Sequence, residues 1–172
     1  MGNVGAPVLK ALLVDPALSV TVLLRPELVR QPAGADGSNA KTVTVRFDDH
    51  TALVRALRDA EADVLVIAVG YGGFHAQGRF IDAAVEAGVK RLVANEFGSD
   101  LNNPLTRQLA VFAPKIAARQ KLEKLADEGK IAWTAISNGA LFDLGMYTRC
   151  HNDDMVKLIA APVSIPASWA SS

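Results

Sequence analysis

At 172 residues, the chain is long enough for about one domain. Hydrophobic residues make up 50% and charged residues 21%, a globular composition that argues against a disordered chain. Lys plus Arg and Asp plus Glu are 18 each, so no overall basic field exists to hold nucleic acid or an anionic membrane. The one cysteine, Cys150, rules out an internal disulfide framework and argues against a cysteine-rich metal site, which fits a reducing, cytoplasmic setting. No apolar run approaches the roughly 18 residues of a membrane helix, and no charged n-region marks a signal peptide at the N-terminus.

In chain order, Pro7 suits the first turn of a helix, where its missing N–H costs nothing. Val8, Leu9, Leu12 and Leu13 then give an apolar stripe at helical spacing, which Asp15-Pro16 ends. Val20 to Leu24 reads as a short strand closed by Arg25-Pro26, residues 31 to 40 as a loop, and Thr42 to Phe47 as a second strand. Asp48 and Asp49 can cap a helix from about Thr51 to Ala60, with Leu53, Val54 and Leu57 inward. Val64 to Val69 is a continuous apolar run, the pattern of a strand covered on both faces. Gly70-Tyr71-Gly72-Gly73 breaks it. A helix from about Ala76 to Ala87 follows, stopped by Gly88. Arg91 to Ala94 is a further strand, Pro114 to about Glu128 a longer helix, and Ile131 to Ser137 the last strand. Beyond Met146 the pattern decays, and the segment HNDDMVKLIAAPVSIPASWASS reads as irregular.

Strands alternating with helices predict an α/β fold, a doubly wound parallel sheet covered by helices. Ligands in such sheets bind at the carboxyl ends of the strands. That makes Arg25, Asp48, Gly70, Glu96 and Asn138 the informative positions. Gly2 and Gly5, with Asn3 between them, stand three apart at a helix start. This is either the second half of a dinucleotide phosphate loop, whose backbone must approach a pyrophosphate closely, or an ordinary glycine-rich helix start.

The stretches GNVGAPVLKALL, VTVLLRPE, DVLVIAVG, QGRFIDAAVEAGVKRLVANEFGSDLN and IAWTAISNGALFDLGM resemble the isoflavone reductase-like, or NmrA-like, family of atypical short-chain dehydrogenases, especially its fungal members. The resemblance covers about residues 2 to 148. Its most specific part is IDAAVEAGVKRLVANEFGSD, where Asn95 stands in place of the family's serine. Two departures stand out. The family opens with a strand and a fuller glycine loop, and it continues into a substrate-binding region. The expected product is therefore a Rossmann-type domain over residues 1–148, lacking the usual first strand and the substrate region, followed by an irregular tail at 149–172.

The resemblance implies an NADP-dependent oxidoreductase acting on a small, carbonyl-type or unsaturated organic substrate. Gly2, Asn3 and Gly5 fall in the phosphate loop. Arg25, directly after a strand, falls where an arginine accommodates the 2′-phosphate of NADP, the alternative being a solvated surface arginine; Arg30 and Lys41 are weaker seconds. Val69 and Gly70 would let the cofactor pass, and Glu96 and Phe97 follow the next strand as cofactor-binding candidates, with Phe97 near the nicotinamide. The alternatives there are a simple turn and a core phenylalanine. The Y-x-x-x-K pattern of the wider dehydrogenase class is absent, since neither Tyr71 nor Tyr147 has a lysine four residues on. The resemblance instead gives proton transfer to Lys115, with Lys121 as runner-up; either one alone also reads as a solvated helix lysine. His50, His75 and His151 lack metal spacing, so no metal is expected. Two other readings remain: a dinucleotide-sensing regulator without turnover, and a non-functional fragment. The expected partner is a small-molecule substrate, with self-association possible through exposed strand edges.

Overall fold

A computed structural model describes residues 4–26 and 40–139. Its elements run α1 Gly5–Leu12, β1 Thr21–Leu24, β2 Lys41–Thr44, α2 His50–Asp59, β3 Val64–Val66, α3 Gln77–Ala87, β4 Arg91–Val93, α4 Pro104–Arg107, α5 Ala113–Asp127 and β5 Ala132–Thr134. Apart from α4, which the hydrophobic periodicity does not predict, the order and type of the elements follow it, and the strands are shorter than the apolar runs that contain them. The expected tail, residues 149–172, lies outside the described residues, as do Gly2, Asn3 and Arg30.

All strand pairs are parallel, as strands joined through helices require. They form two sheets. In one, β1 pairs with β2 in the register Thr21↔Lys41 to Leu24↔Thr44. In the other the order is β3-β4-β5, with Val64↔Arg91 and Arg91↔Ala132 in register. The edge of β1 away from β2 and the edge of β3 away from β4 have no strand partner among the described residues.

This overturns one sequence expectation. The run from Val64 was expected to be covered on both faces, yet Val64 is 52% exposed and Leu65 and Val66 are half-buried. An apolar run shows what a strand is able to bury, whereas the neighbouring strands decide what it does bury.

The core lies where α2 packs on α3, and α3 in turn on α5, against the three-stranded sheet. Leu53 of α2, Ile81 of α3, Leu92 of β4 and Leu122 of α5 are fully buried there. Asp49, not Asp48, caps α2: its carboxylate accepts from the Ala52 N–H at 2.9 Å, satisfying a helix-end donor. Gly88 ends α3 in a left-handed conformation, φ 83°, as its place after the last apolar position predicted. The glycine run after β3 folds into a 3-10 turn, Tyr71–Ala76. Gly73 is required in it, since a Cβ there would meet the Val69 side chain at 2.7 Å. Among the described residues no helix is long and apolar enough to cross a membrane.

Candidate functional site

Because the strands are parallel within each sheet, the turns that follow them lie on one side, at their carboxyl ends. A cavity of about 250 Å³ opens behind β1 and β2, lined by Arg25, Pro26, Arg46, Phe47, Asp48, Gly73, Ala76 and Arg79. Three arginines converge on it from three parts of the chain. Arg25 stands 6.0 Å from the centroid of the Phe47 ring. Arg79 of α3 donates from Nη1 to the Phe47 carbonyl at 2.8 Å, and Arg46 pairs with Asp48 at 2.7 Å. Phe47 is set against Phe80 of α3, edge to face at 4.9 Å, so a core contact fixes this wall. Hydrogen bonding from Arg46 holds the Asp48 carboxyl below its ordinary value. Neither Arg46 nor Arg79 was singled out from the sequence. Arg46 lies inside the run Thr42 to Phe47 that reads as a strand and stands beyond β2 only because the strand ends at Thr44, whereas Arg79 is one charge among several on an amphipathic helix.

The turn after β3 meets the turn after β4 through Asn95. This residue is buried, and its Nδ2 donates to the Val69 carbonyl at 2.8 Å. Ala68, one residue before, lies against α1: a Cβ placed on Gly5 would stand 3.8 Å from the Ala68 carbonyl and Cβ, an ordinary contact distance. Gly5 and Val69 therefore approach the same turn, with Gly70 exposed just beyond. Phe97 is half-buried in the turn after β4.

Lys115 sits in the first turn of α5 and is only 8% exposed. Its Nζ donates to the backbone carbonyl of Glu96 at 2.7 Å and lies 4.7 Å from the centroid of the Phe74 ring. Burial lowers the lysine's pKa from its ordinary value, and the nearby Glu96 charge partly offsets this. Lys121 is placed differently. Six residues on, it pairs with Asp82 of α3 at 2.6 Å in a half-exposed position.

Glu96 itself is 3% exposed. Its carboxylate turns towards α5, with Oε2 3.6 Å from Arg119 Nη1. Burial raises its pKa, while Arg119 and Lys115 act in the opposite direction. Arg119 lies one helical turn beyond Lys115. It donates from Nη2 to Asn102 Oδ1 at 2.6 Å and from Nε to Glu123 Oε1 at 3.2 Å. Its guanidinium lies 5.7 Å from the Trp133 ring centroid. Among the described residues no group of His, Cys, Asp and Glu is arranged to hold a metal ion.

The sequence pattern of a family described as NAD(P)H-binding matches residues 1–154. Oxidoreductase aprR of Aspergillus flavus is 28% identical over 149 residues, which is 84% of this chain and 48% of that protein. Phenylcoumaran benzylic ether reductase Pyrc5 of Pyrus communis is 33% identical over 126 residues, 68% of this chain and 39% of that protein. The solved binary complex of leucoanthocyanidin reductase with NADPH from Vitis vinifera matches with a TM-score of 0.65 at 26% identity, over 81% of this chain and 47% of that one. The chain thus spans less than half the length of each of these relatives. The family match runs through every described element, and the chain belongs to the NAD(P)H-binding family, with a Rossmann-like fold and a place among the isoflavone reductase-like, NmrA-like proteins.

Proposed function

We propose that residues 1–148 are the dinucleotide-binding unit of a cytoplasmic, NADPH-dependent oxidoreductase that acts on a small organic carbonyl-type substrate. The observation that carries this reading is the burial of Lys115 beneath the turn after β4, at the ligand-binding end of a parallel sheet. Gly2, Asn3 and Gly5 hold the pyrophosphate at the start of α1. Arg25 receives the 2′-phosphate, and the cavity it shares with Arg46 and Arg79 has the charge that a phosphate needs. Val69 and Gly70 give the cofactor passage, and Glu96 and Phe97 flank its nicotinamide end.

When bound, the nicotinamide supplies the hydride. The protein's part is orientation and the proton. Lys115 holds a proton at Nζ and donates it to the substrate oxygen as negative charge grows there. Burial makes this ammonium a stronger acid than a solvated one, and so a better donor near neutral pH. Lys115→Ala should lower turnover by about 10²–10⁴-fold and leave NADPH affinity by fluorescence titration unchanged, because the lost interaction belongs to the chemical step. Unaltered turnover overturns the role of Lys115, and the same loss from Lys121→Ala instead moves it to Lys121.

The tether of Nζ to the Glu96 carbonyl and the Phe74 ring also favours a second reading. In it the chain binds the dinucleotide as a sensor without turnover. NADPH binding with no hydride transfer to any carbonyl substrate would select that reading. Self-association through the edges of β1 and β3 that have no strand partner among the described residues belongs to either one.

A further inference from the structure

Buried carboxylates in native proteins are ordinarily hydrogen-bonded, and an exception calls for an explanation. Glu96 is such an exception: among the described residues neither carboxylate oxygen has a hydrogen-bond partner, and Arg119 Nη1, which faces it, has none either. The pair sits 3.6 Å apart, a charge contact rather than a hydrogen bond. The other two nitrogens of Arg119 donate to Asn102 and Glu123. The guanidinium is thereby held in place while its Nη1 edge is given to Glu96. Keeping an imperfectly paired carboxylate buried is costly, and its position suggests what it does. Its own backbone carbonyl is the acceptor of Lys115 Nζ.

We propose that Glu96 is the positioning residue of Lys115: braced by Arg119, it holds the turn whose carbonyl receives Nζ and keeps a buried negative charge beside the ammonium. This deepens the reading of Lys115 as the proton-transfer group. The charged groups around the pair come from two elements. Glu96 and Asp100 belong to the turn after β4, and Lys115, Arg119 and Glu123 belong to α5. Phe74 of the 3-10 turn and Trp133 of β5 close the cluster with aromatic rings. The Glu96 charge favours the protonated lysine, whereas burial disfavours it. Glu96 therefore decides how far burial is allowed to deplete the proton that Lys115 carries.

The test follows Lys115 alone, by competitive amine labelling across pH with peptide mass spectrometry, on the whole chain. Glu96→Gln keeps the shape and removes the charge. The labelling midpoint of Lys115 should then fall by about one pH unit or more, and Glu96→Asp should restore most of it. An unshifted midpoint in a folded Glu96→Gln protein overturns the proposal, because a merely structural glutamate would leave the lysine's titration alone. If Glu96→Gln does not fold, the reciprocal experiment decides. Coupling between two sites is mutual, so Lys115→Met should raise the midpoint of the Glu96 carboxyl, read by carbon-13 NMR, and an unmoved carboxyl overturns the proposal. Labelling requires no turnover. A protein that reduces no substrate would sink the catalytic reading while leaving this one standing.

Discussion

The two sheets are built from nearly the same material and end in different states. Thr21-Val22-Leu23-Leu24 and Val64-Leu65-Val66 are comparably apolar, and each pairs with a parallel neighbour. In the three-stranded sheet, β4 lies between β3 and β5 beneath α3 and α5, and Leu92 is completely buried. Each sheet buries one strand residue, Leu24 in the two-stranded sheet, and the contrast lies in the covering helices: α3 buries Phe80, Ile81, Ala83 and Ala84, whereas α1 buries Leu9 alone. The difference is one of neighbours, since composition is held nearly constant. It also divides the candidate site. Lys115, Glu96 and Arg119 belong to the packed part, whereas Arg25 and Arg46 stand on the open part, so the proposed proton donor is buried and the proposed phosphate-binding arginines are exposed.

The comparison breaks most readily at the core. Leu92→Ala should cost about 2–5 kcal/mol, because the removed methyl groups leave a cavity that the sheet and α3 cannot close. Leu23→Ala, at a half-buried position of β1, should cost only about 1 kcal/mol. Urea denaturation measures both, and equal costs would mean that the two sheets are packed alike. A change on the open part should alter recognition with little effect on stability. Arg25→Asp should reduce the preference for NADPH over NADH by about tenfold or more, since the carboxylate repels the 2′-phosphate and accepts from ribose hydroxyls. Fluorescence titration of both cofactors reads this, and equal preferences before and after would remove Arg25 from the site. The smallest effect sharpens the contrast at the sheet edge. Val64→Lys should change stability by less than about 0.5 kcal/mol, as expected at an exposed position. It should also lower self-association at high concentration in sedimentation velocity, because an edge lysine obstructs strand pairing. Undiminished association would place the contact elsewhere.

Much of this architecture was legible from residue order. The helical stripe of Leu53, Val54 and Leu57 and the stop at Gly88 are local signals, and local physics honours them. The choice of Asp49 over its neighbour as the cap is also local: its backbone is extended, φ −98° and ψ 102°, while Asp48 is occupied by Arg46. What stayed hidden depends on distant chain. The exposure of Val64 is set by what stands beside β3. The arginine cavity joins residue 25 to residue 79. The direction of the Glu96 side chain is fixed by Arg119, 23 positions away, and no periodicity in the sequence reports such a pairing. The side chains that give the candidate site its chemistry are therefore harder to read than the scaffold that carries them.

The cation–π contact of Arg119 with Trp133 has an optical consequence. Indole emission responds to nearby charge, and this cation is the one braced against Glu96. The chain has two tryptophans, so Trp169→Phe leaves Trp133 as the sole emitter. Its spectrum then becomes a built-in gauge of the ionic cluster, following protonation of Glu96 or displacement of α5 with no added dye.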